Sequence, residues 1–437
     1  MRKVFFVTFG CKVNQYETEC LKSEFLKKDY LIADVPNEAD VIVINSCTVT
    51  ASGDSKSLYA VRKMRKINND AVIILTGCLP QASKEVAEKI PEADIVTGTK
   101  EKQSLPILAE NFIINHNRII NIDDYKLDDK FEVTSQSGFG DKTRAFVKIQ
   151  DGCNQFCSYC IIPYARGRCR SKPIDELKKE ICTLTEVGHK EIVLVGINLA
   201  FYGAEFGLRL VDAVEECCKI NGVKRVRLGS LEPEMISDED LIRLSKLPQF
   251  CPQFHLSLQS GCDRTLKAMN RKYNAEEYYS LVNRIKKYFP NASFTTDIMV
   301  GFPQETDDDF IESMRFAEKV GFSKVHVFQY SGRKGTVASK MSGQISKNIK
   351  EKRADEMKEL AAKLREKYLM SQVGKTVPVL FERENCTDFH KGYAPDYTLI
   401  KIPFGNHKKS LRNMIFCVKI KEYESDCCIG EIVDSSL

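Results

Sequence analysis

The sequence predicts an α/β protein in three parts: an N-terminal parallel α/β domain, a six-stranded partial β/α barrel, and a small C-terminal β-barrel. Three observations predict it. Three β-branched runs separated by helical patterns occupy the first third of the chain. Six further strand-like runs alternate with helical patterns through the middle. The segment 372–437 is β-rich and broken by turn residues. Apolar strands alternating with helices indicate parallel sheets. A β-rich segment too small for a sandwich indicates a closed barrel.

A chain of 437 residues is too long for one core and is expected to divide. Its 43% hydrophobic and 29% charged residues suit a folded protein rather than a disordered one. No apolar run reaches the roughly 18 residues that span a bilayer. Met1 to Val7 resembles the start of a signal peptide, but Thr8, Gly10 and Lys12 break it and leave a buried strand. The expectation is a cytoplasmic protein with no membrane partner. Seventeen cysteines in that compartment point to metal or redox chemistry rather than disulfides. A net charge of +5 permits an RNA partner without establishing one.

In the N-terminal domain, 1–120, the runs are Val4 to Phe9, Asp40 to Asn45 and Ala71 to Thr76. Each is followed within two residues by a cysteine: Cys11, Cys47 and Cys78. Loops after the carboxyl ends of parallel strands share one sheet edge, so the three can converge. Their polar, glycine-flanked contexts suit a site that admits a ligand. Buried structural cysteine is the competing reading. A polar, irregular linker is placed at 121–141.

The second part, 142–371, has strands at Arg144 to Ile149, Glu191 to Val195, Val223 to Leu228, Phe254 to Leu258, Ser293 to Met299 and Lys324 to Gln329. Its chemistry belongs on the loops at their carboxyl ends. A long helix capped by Ser346 runs to about Ser371 and joins the third part. That part, 372–437, has strands at Thr376 to Phe381, Tyr397 to Ile402, Met414 to Lys421 and Cys428 to Val433. Lys391-Gly392-Tyr393 and Gly405-Asn406 are read as turns.

Directly after the first barrel strand stand Cys153, Cys157 and Cys160, spaced C-x3-C-x2-C. Three thiolates on one loop can bind three irons of a 4Fe-4S cluster and leave the fourth open. An open iron can chelate the amino and carboxylate groups of methionine, which is the arrangement that cleaves S-adenosylmethionine (SAM). A zinc site would want four ligands with paired short spacings, and no second pair or histidine lies near in sequence. Tyr159 precedes the third cysteine. Gly196, Asn198, Ser230, Glu232, Gln259 and Asp297 end four further strands and make a candidate SAM floor. Each of those loops taken singly could be an ordinary turn. Cys11, Cys47 and Cys78 could hold a second open cluster on the same logic. The other eleven cysteines, Cys217-Cys218 and Cys427-Cys428 among them, are read as structural.

Between Lys401 and Lys421 the cations Lys401, Lys408, Lys409, Arg412, Lys419 and Lys421 stand without an acid among them. A basic stripe on a small barrel can track phosphates. Arg166, Arg168 and Arg170 beside the cysteine loop are a second candidate RNA contact. Arg62, Lys63, Arg65 and Lys66 read as a solvated helix face.

Taken with their neighbours, these motifs resemble one family end to end. Phe9-Gly10-Cys11-Lys12-Val13-Asn14-Gln15-Tyr16-Glu17, Asn45-Ser46-Cys47-Thr48-Val49, Gly77-Cys78 and Gln150 through Arg168 match the pattern of the radical-SAM methylthiotransferases. So do Ser257-Leu258-Gln259-Ser260-Gly261 and Asp297 through Pro303, and the C-terminal barrel resembles the RNA-binding TRAM domain. The Lys12-Val13-Asn14-Gln15 stretch is similar to the MtaB type. Relatives specific for isopentenyladenosine usually carry Gly-Cys-Gln-Met-Asn there, and others modify a ribosomal-protein aspartate. The resemblance implies 2-methylthiolation of threonylcarbamoyladenosine at position 37 of tRNA, two 4Fe-4S clusters and SAM. It also implies an electron donor of flavodoxin or ferredoxin type and a monomer. In that scheme the Cys153 cluster reduces SAM to a radical and the Cys11 cluster presents the sulfur. No acid or base is assigned. Gln304 and Cys169 depart from the pattern, where glycine and serine are more usual. A redox-sensing RNA-binding protein is the non-enzymatic alternative.

Overall fold

The computed structural model describes residues 1–136, 138, 140, 142–383, 388–404 and 409–434. Its N-terminal sheet has six parallel strands: β1 (Lys3–Thr8), β2 (Leu31–Ile32), β3 (Val41–Ser46), β4 (Val72–Gly77), β5 (Ile95–Thr97) and β6 (Ile119–Asn121). Their order is β2-β1-β3-β4-β5-β6. Every residue of β3 and β4 is buried, which is why both read as unbroken apolar runs. Alternate residues feed two cores: Ile42, Ile44, Ile73 and Leu75 on one face, Val41, Val43, Val72 and Ile74 on the other. The sequence revealed only β1, β3 and β4. The other three are two or three residues long, too short to show a period.

Asn121, assigned to the linker, belongs to β6. The segment after it has no strand or helix among its described residues, yet it is packed. Phe131 is buried, Gln136 Nε2 donates to the Phe146 carbonyl at 2.6 Å, and the Arg170 guanidinium lies 4.6 Å from the Tyr125 ring.

The second part begins with β7 (Arg144–Lys148), then a short antiparallel ribbon of β8 (Gln150–Asp151) and β9 (Arg170–Ser171). β10 (Glu191–Val195), β11 (Arg225–Leu228), β12 (Ser230–Leu231), β13 (Gln253–Leu256), β14 (Ser293–Val300) and β15 (Lys324–Gln329) follow. β7, β10 and β11 pair in parallel, as do β12 through β15. β11 and β12 are one strand position interrupted at Gly229. Residues before the glycine pair with β10 and those after it with β13. Six positions in chain order therefore make the expected open barrel, with the carboxyl ends on one rim.

The helix Lys347–Met370 starts where Ser346 Oγ accepts from Ile349 N. It sends Met357, Ala361 and Leu364 into the main core and Leu369 into the C-terminal core. The last part is a closed barrel, β16-β17-β18-β20-β19, of β16 (Thr376–Phe381), β17 (Phe389–Tyr393), β18 (Leu399–Pro403), β19 (Ile415–Glu424) and β20 (Cys427–Asp434). Lys391-Gly392-Tyr393 is thus strand, not turn. A Cβ on Gly392 would sit 2.5 Å from the Leu380 carbonyl, so this glycine serves close strand approach. Gly405-Asn406 lies outside the described residues. The barrel is tied down by Arg225 and Arg227, which donate to the Tyr393 and Pro395 carbonyls at 2.8 and 2.7 Å. No described helix is long and apolar enough to cross a membrane.

Candidate active site

β1, β3 and β4 are adjacent in the sheet, and Cys11, Cys47 and Cys78 follow their carboxyl ends. Neighbouring strands lie about 4.8 Å apart, so the topology itself gathers the three thiols. Glycines allow the approach. Gly10 has φ +100°, and a Cβ there would meet Cys47 Cβ at 2.7 Å. Gly77 has φ +105°, and a Cβ there would meet the Ser46 carbonyl at 2.6 Å. Burial pushes the Cys78 thiol up to about 11, although Arg166 pulls it down.

Arg166 ends the short helix Ile162–Arg166 of the second part. It is fully buried. Its Nε donates to Cys78 Sγ at 3.3 Å and its Nη2 to Asn14 Oδ1 at 2.8 Å, while the fork also grips Glu17. Glu17 in turn accepts from Lys102 at 2.6 Å and Lys148 at 3.0 Å. Lys148 reaches Asp151 at 3.0 Å. Burial alone would raise both carboxyls. Arg166, Lys102 and Lys148 instead hold Glu17 well below the usual carboxylate range, and Lys148, Arg166 and Arg170 bring Asp151 down to about 2. This buried lattice fastens the N-terminal sheet to the barrel.

The second thiol group lies on the loop after β8. The Cys153 sulfur accepts from Gln155 N at 3.4 Å and Asn198 Nδ2 at 3.5 Å. The Cys157 sulfur accepts from Arg271 Nη1 at 3.2 Å, and Arg271 also pairs with Glu232. Burial and the neighbouring Cys157 push Cys160 up to about 12, and metal binding would favour its thiolate. Thiols in threes with nitrogen donors aimed at their sulfurs fit iron–sulfur groups, whose sulfurs accept such bonds. Among the described residues no three His, Cys, Asp or Glu side chains close around a single-ion position.

The candidate SAM residues divide. Tyr159 packs edge-on against Phe302, a supporting position. Gly196 is needed because Gln150 fills its flank: a Cβ would stand 2.9 Å from Gln150 Cβ, so protein rather than ligand occupies that space. Asn198 stays close to the cysteine loop, with its Oδ1 buried and unpartnered. Glu232 is drawn in by Arg271. Gln259 holds φ +67° and bridges to β14, its N–H donating to the Asp297 carbonyl at 2.9 Å. Ser230 and Asp297 line a cavity of about 490 Å³ that also reaches Cys11, Gly196, His255 and His326.

The RNA candidates are corrected in part. Arg166 and Arg170 are buried, Arg170 donating to the Arg166 and Arg168 carbonyls at 2.7 and 2.9 Å, so neither is placed to meet phosphate. Arg168 is exposed over the Phe156 ring. Lys409 and Lys419 are exposed, Lys401 and Arg412 half-buried, and Lys421 pairs with Glu431 at 2.5 Å. Lys408 lies outside the described residues. Sequence reasoning missed Arg271, Lys102 and Lys148, which carry no spacing signature. It quoted Glu17 without giving it a role.

A model described as the radical SAM superfamily matches residues 147–317, and one described as uncharacterized protein family UPF0004 matches residues 3–98. The threonylcarbamoyladenosine tRNA methylthiotransferase MtaB of Thermotoga maritima is 38% identical, over 91% of this chain and 90% of its own. The protein of that name from Aquifex aeolicus is 36% identical, over 88% and 93%. The tRNA-2-methylthio-N(6)-dimethylallyladenosine synthase of Clostridium tetani is 33% identical, over 98% and 96%. Among solved structures, the radical S-adenosylmethionine methyltransferase TsrM from Kitasatospora setae aligns with TM-score 0.57 at 13% identity, over 77% of each chain, a likeness of fold alone.

Proposed function

We propose, from the premise that this chain belongs to the radical-SAM tRNA methylthiotransferases, that its substrate is threonylcarbamoyladenosine in tRNA and its product the 2-methylthio derivative. The supporting observation is identity of 36% to 38% with relatives named for that reaction, against 32% to 34% with relatives named for dimethylallyladenosine.

The C2–H of the base is neither acidic nor electrophilic, so proton transfer alone does not open it. Two 4Fe-4S clusters and SAM, when bound, supply one-electron chemistry and the sulfur. Cys153, Cys157 and Cys160 would hold one cluster, and Cys11, Cys47 and Cys78 the other. The chain's own part is to hold and orient. Asn198 and Arg271 fix the sulfurs of the first group, and Arg271 anchors Glu232 beside it. Arg166 fixes Cys78. One cavity runs from Cys11 past Gly196 and Ser230, which would let a base approach the Cys11 group.

In this reading 1–120 carries the sulfur-presenting site, 142–371 the SAM site, and 372–437 with Arg168 the RNA contact. The enzyme would act as a cytoplasmic monomer fed by a flavodoxin- or ferredoxin-type donor. Nucleoside analysis tests the substrate. Reconstituted enzyme, SAM and reductant should convert threonylcarbamoyladenosine in tRNA. Conversion of dimethylallyladenosine instead would refute the assignment.

A further inference from the structure

The cavity beside Cys11 contains a cation without a counter-ion among the described residues. Its other charged groups are committed. Asp297 faces His255 Nε2 at 3.4 Å. Lys324 and Arg365 both pair with Asp426, at 3.1 and 2.6 Å. Asp396 accepts from the Tyr368 hydroxyl at 2.6 Å and from Thr398 N at 3.0 Å. Lys12 lines the same cavity, half-buried, with no hydrogen bond or ion pair among the described residues. Its ammonium lies over the rings of Phe146 and Tyr397, at 5.9 and 5.8 Å. The nearby guanidiniums of Arg144 and Arg227, cations themselves, repel it. Arg144 is engaged by Glu382 and Arg227 by Glu191.

An ammonium drawn out of bulk water without a partner is costly, and an anionic ligand would remove that cost. We propose that Lys12 receives the free carboxylate of the threonine arm of the substrate, and so selects an anionic over a neutral modified adenosine. The inference rests on the substrate reading above. Threonine joined through its amino nitrogen keeps its carboxylate ionised, whereas a dimethylallyl arm has no charge. Lys12 follows Cys11 directly, so an arm held there brings its base alongside the N-terminal thiol group. His255 and His326, with ring centroids 5.9 Å apart, face the same cavity and offer further polar contacts.

The test uses holoenzyme and an anticodon stem-loop carrying threonylcarbamoyladenosine, either as the free acid or as its methyl ester. Wild type should bind the acid roughly 10- to 100-fold more tightly than the ester, the span of a hydrogen bond to a charged group. Lys12→Gln should erase that preference and raise KM far more than it lowers kcat. Lys12→Arg should keep most of it, and both variants should retain full iron content. Wild type that binds acid and ester alike overturns the inference without any variant. So does a Lys12→Gln enzyme that keeps the preference. Loss of SAM affinity in Lys12→Gln would assign the carboxylate to SAM and also overturn it. Failure of wild type to convert the threonylcarbamoyl RNA would instead refute the substrate reading.

Discussion

Arg166 donates from Nε to Cys78 Sγ across 3.3 Å, so a residue of the SAM-binding part holds a thiol of the N-terminal part. The same guanidinium is gripped by Glu17 and Asn14, which leaves it one geometry. Removing one member of a buried charge lattice strands the others. Arg166→Ala should destabilise the protein by about 3–5 kcal/mol in chemical denaturation. It should also lower iron retained at Cys11, Cys47 and Cys78 while sparing the Cys153 group. Arg166→Lys keeps the charge but not the fork, and should rescue only part. Equal iron loss from both groups would show a general folding defect.

Glu17 gives a pH dependence of known sign. Its folded pKa lies well below the unfolded value near 4.5, because Arg166, Lys102 and Lys148 outweigh its burial. Its contribution to stability is therefore complete above the unfolded value and is lost as pH falls from about 5 toward the folded value. Glu17→Gln should destabilise strongly at pH 7 and progressively less on acidification. A wild-type minus variant difference that stays flat between pH 7 and pH 4 would contradict this.

Anaerobically reconstituted enzyme should carry about eight irons, two 4Fe-4S groups. Replacing Cys153, Cys157 and Cys160 together by alanine should halve that figure. Loss of all iron, or of none, would mean the two sites are not independent.

Arg168, Lys409 and Lys419 remain exposed after Arg166 and Arg170 proved buried. Each phosphate contact adds roughly 0.7 to 0.9 to the log–log salt slope of binding. Reversing these three to glutamate should weaken tRNA binding and flatten the slope, with iron content unchanged. An unaltered slope would place the RNA elsewhere.

The fold was legible where burial writes a pattern. β3 and β4 are buried on both faces and announce themselves as apolar runs, and Cys47 and Cys78 are legible because they stop those runs. β17 was hidden because Gly392 looks like a turn, and only the nearby Leu380 backbone explains it. Arg166 reads as surface charge in sequence. Its partners Glu17 and Cys78 lie in another part of the chain, so no local pattern betrays the burial. Arg271 was silent for the same reason: its contacts with Cys157 and Glu232 exist only after the barrel closes.

The proposed function rests on a division of labour between two thiol groups. The enzyme with Cys11, Cys47 and Cys78 all changed to alanine tests it directly. SAM cleavage and methylthio product are to be measured in one anaerobic reaction with threonylcarbamoyladenosine tRNA. 5′-Deoxyadenosine should continue to form and no methylthiolated nucleoside should appear. Loss of SAM cleavage while the Cys153 group keeps its iron, or product formation without the N-terminal thiols, would contradict it.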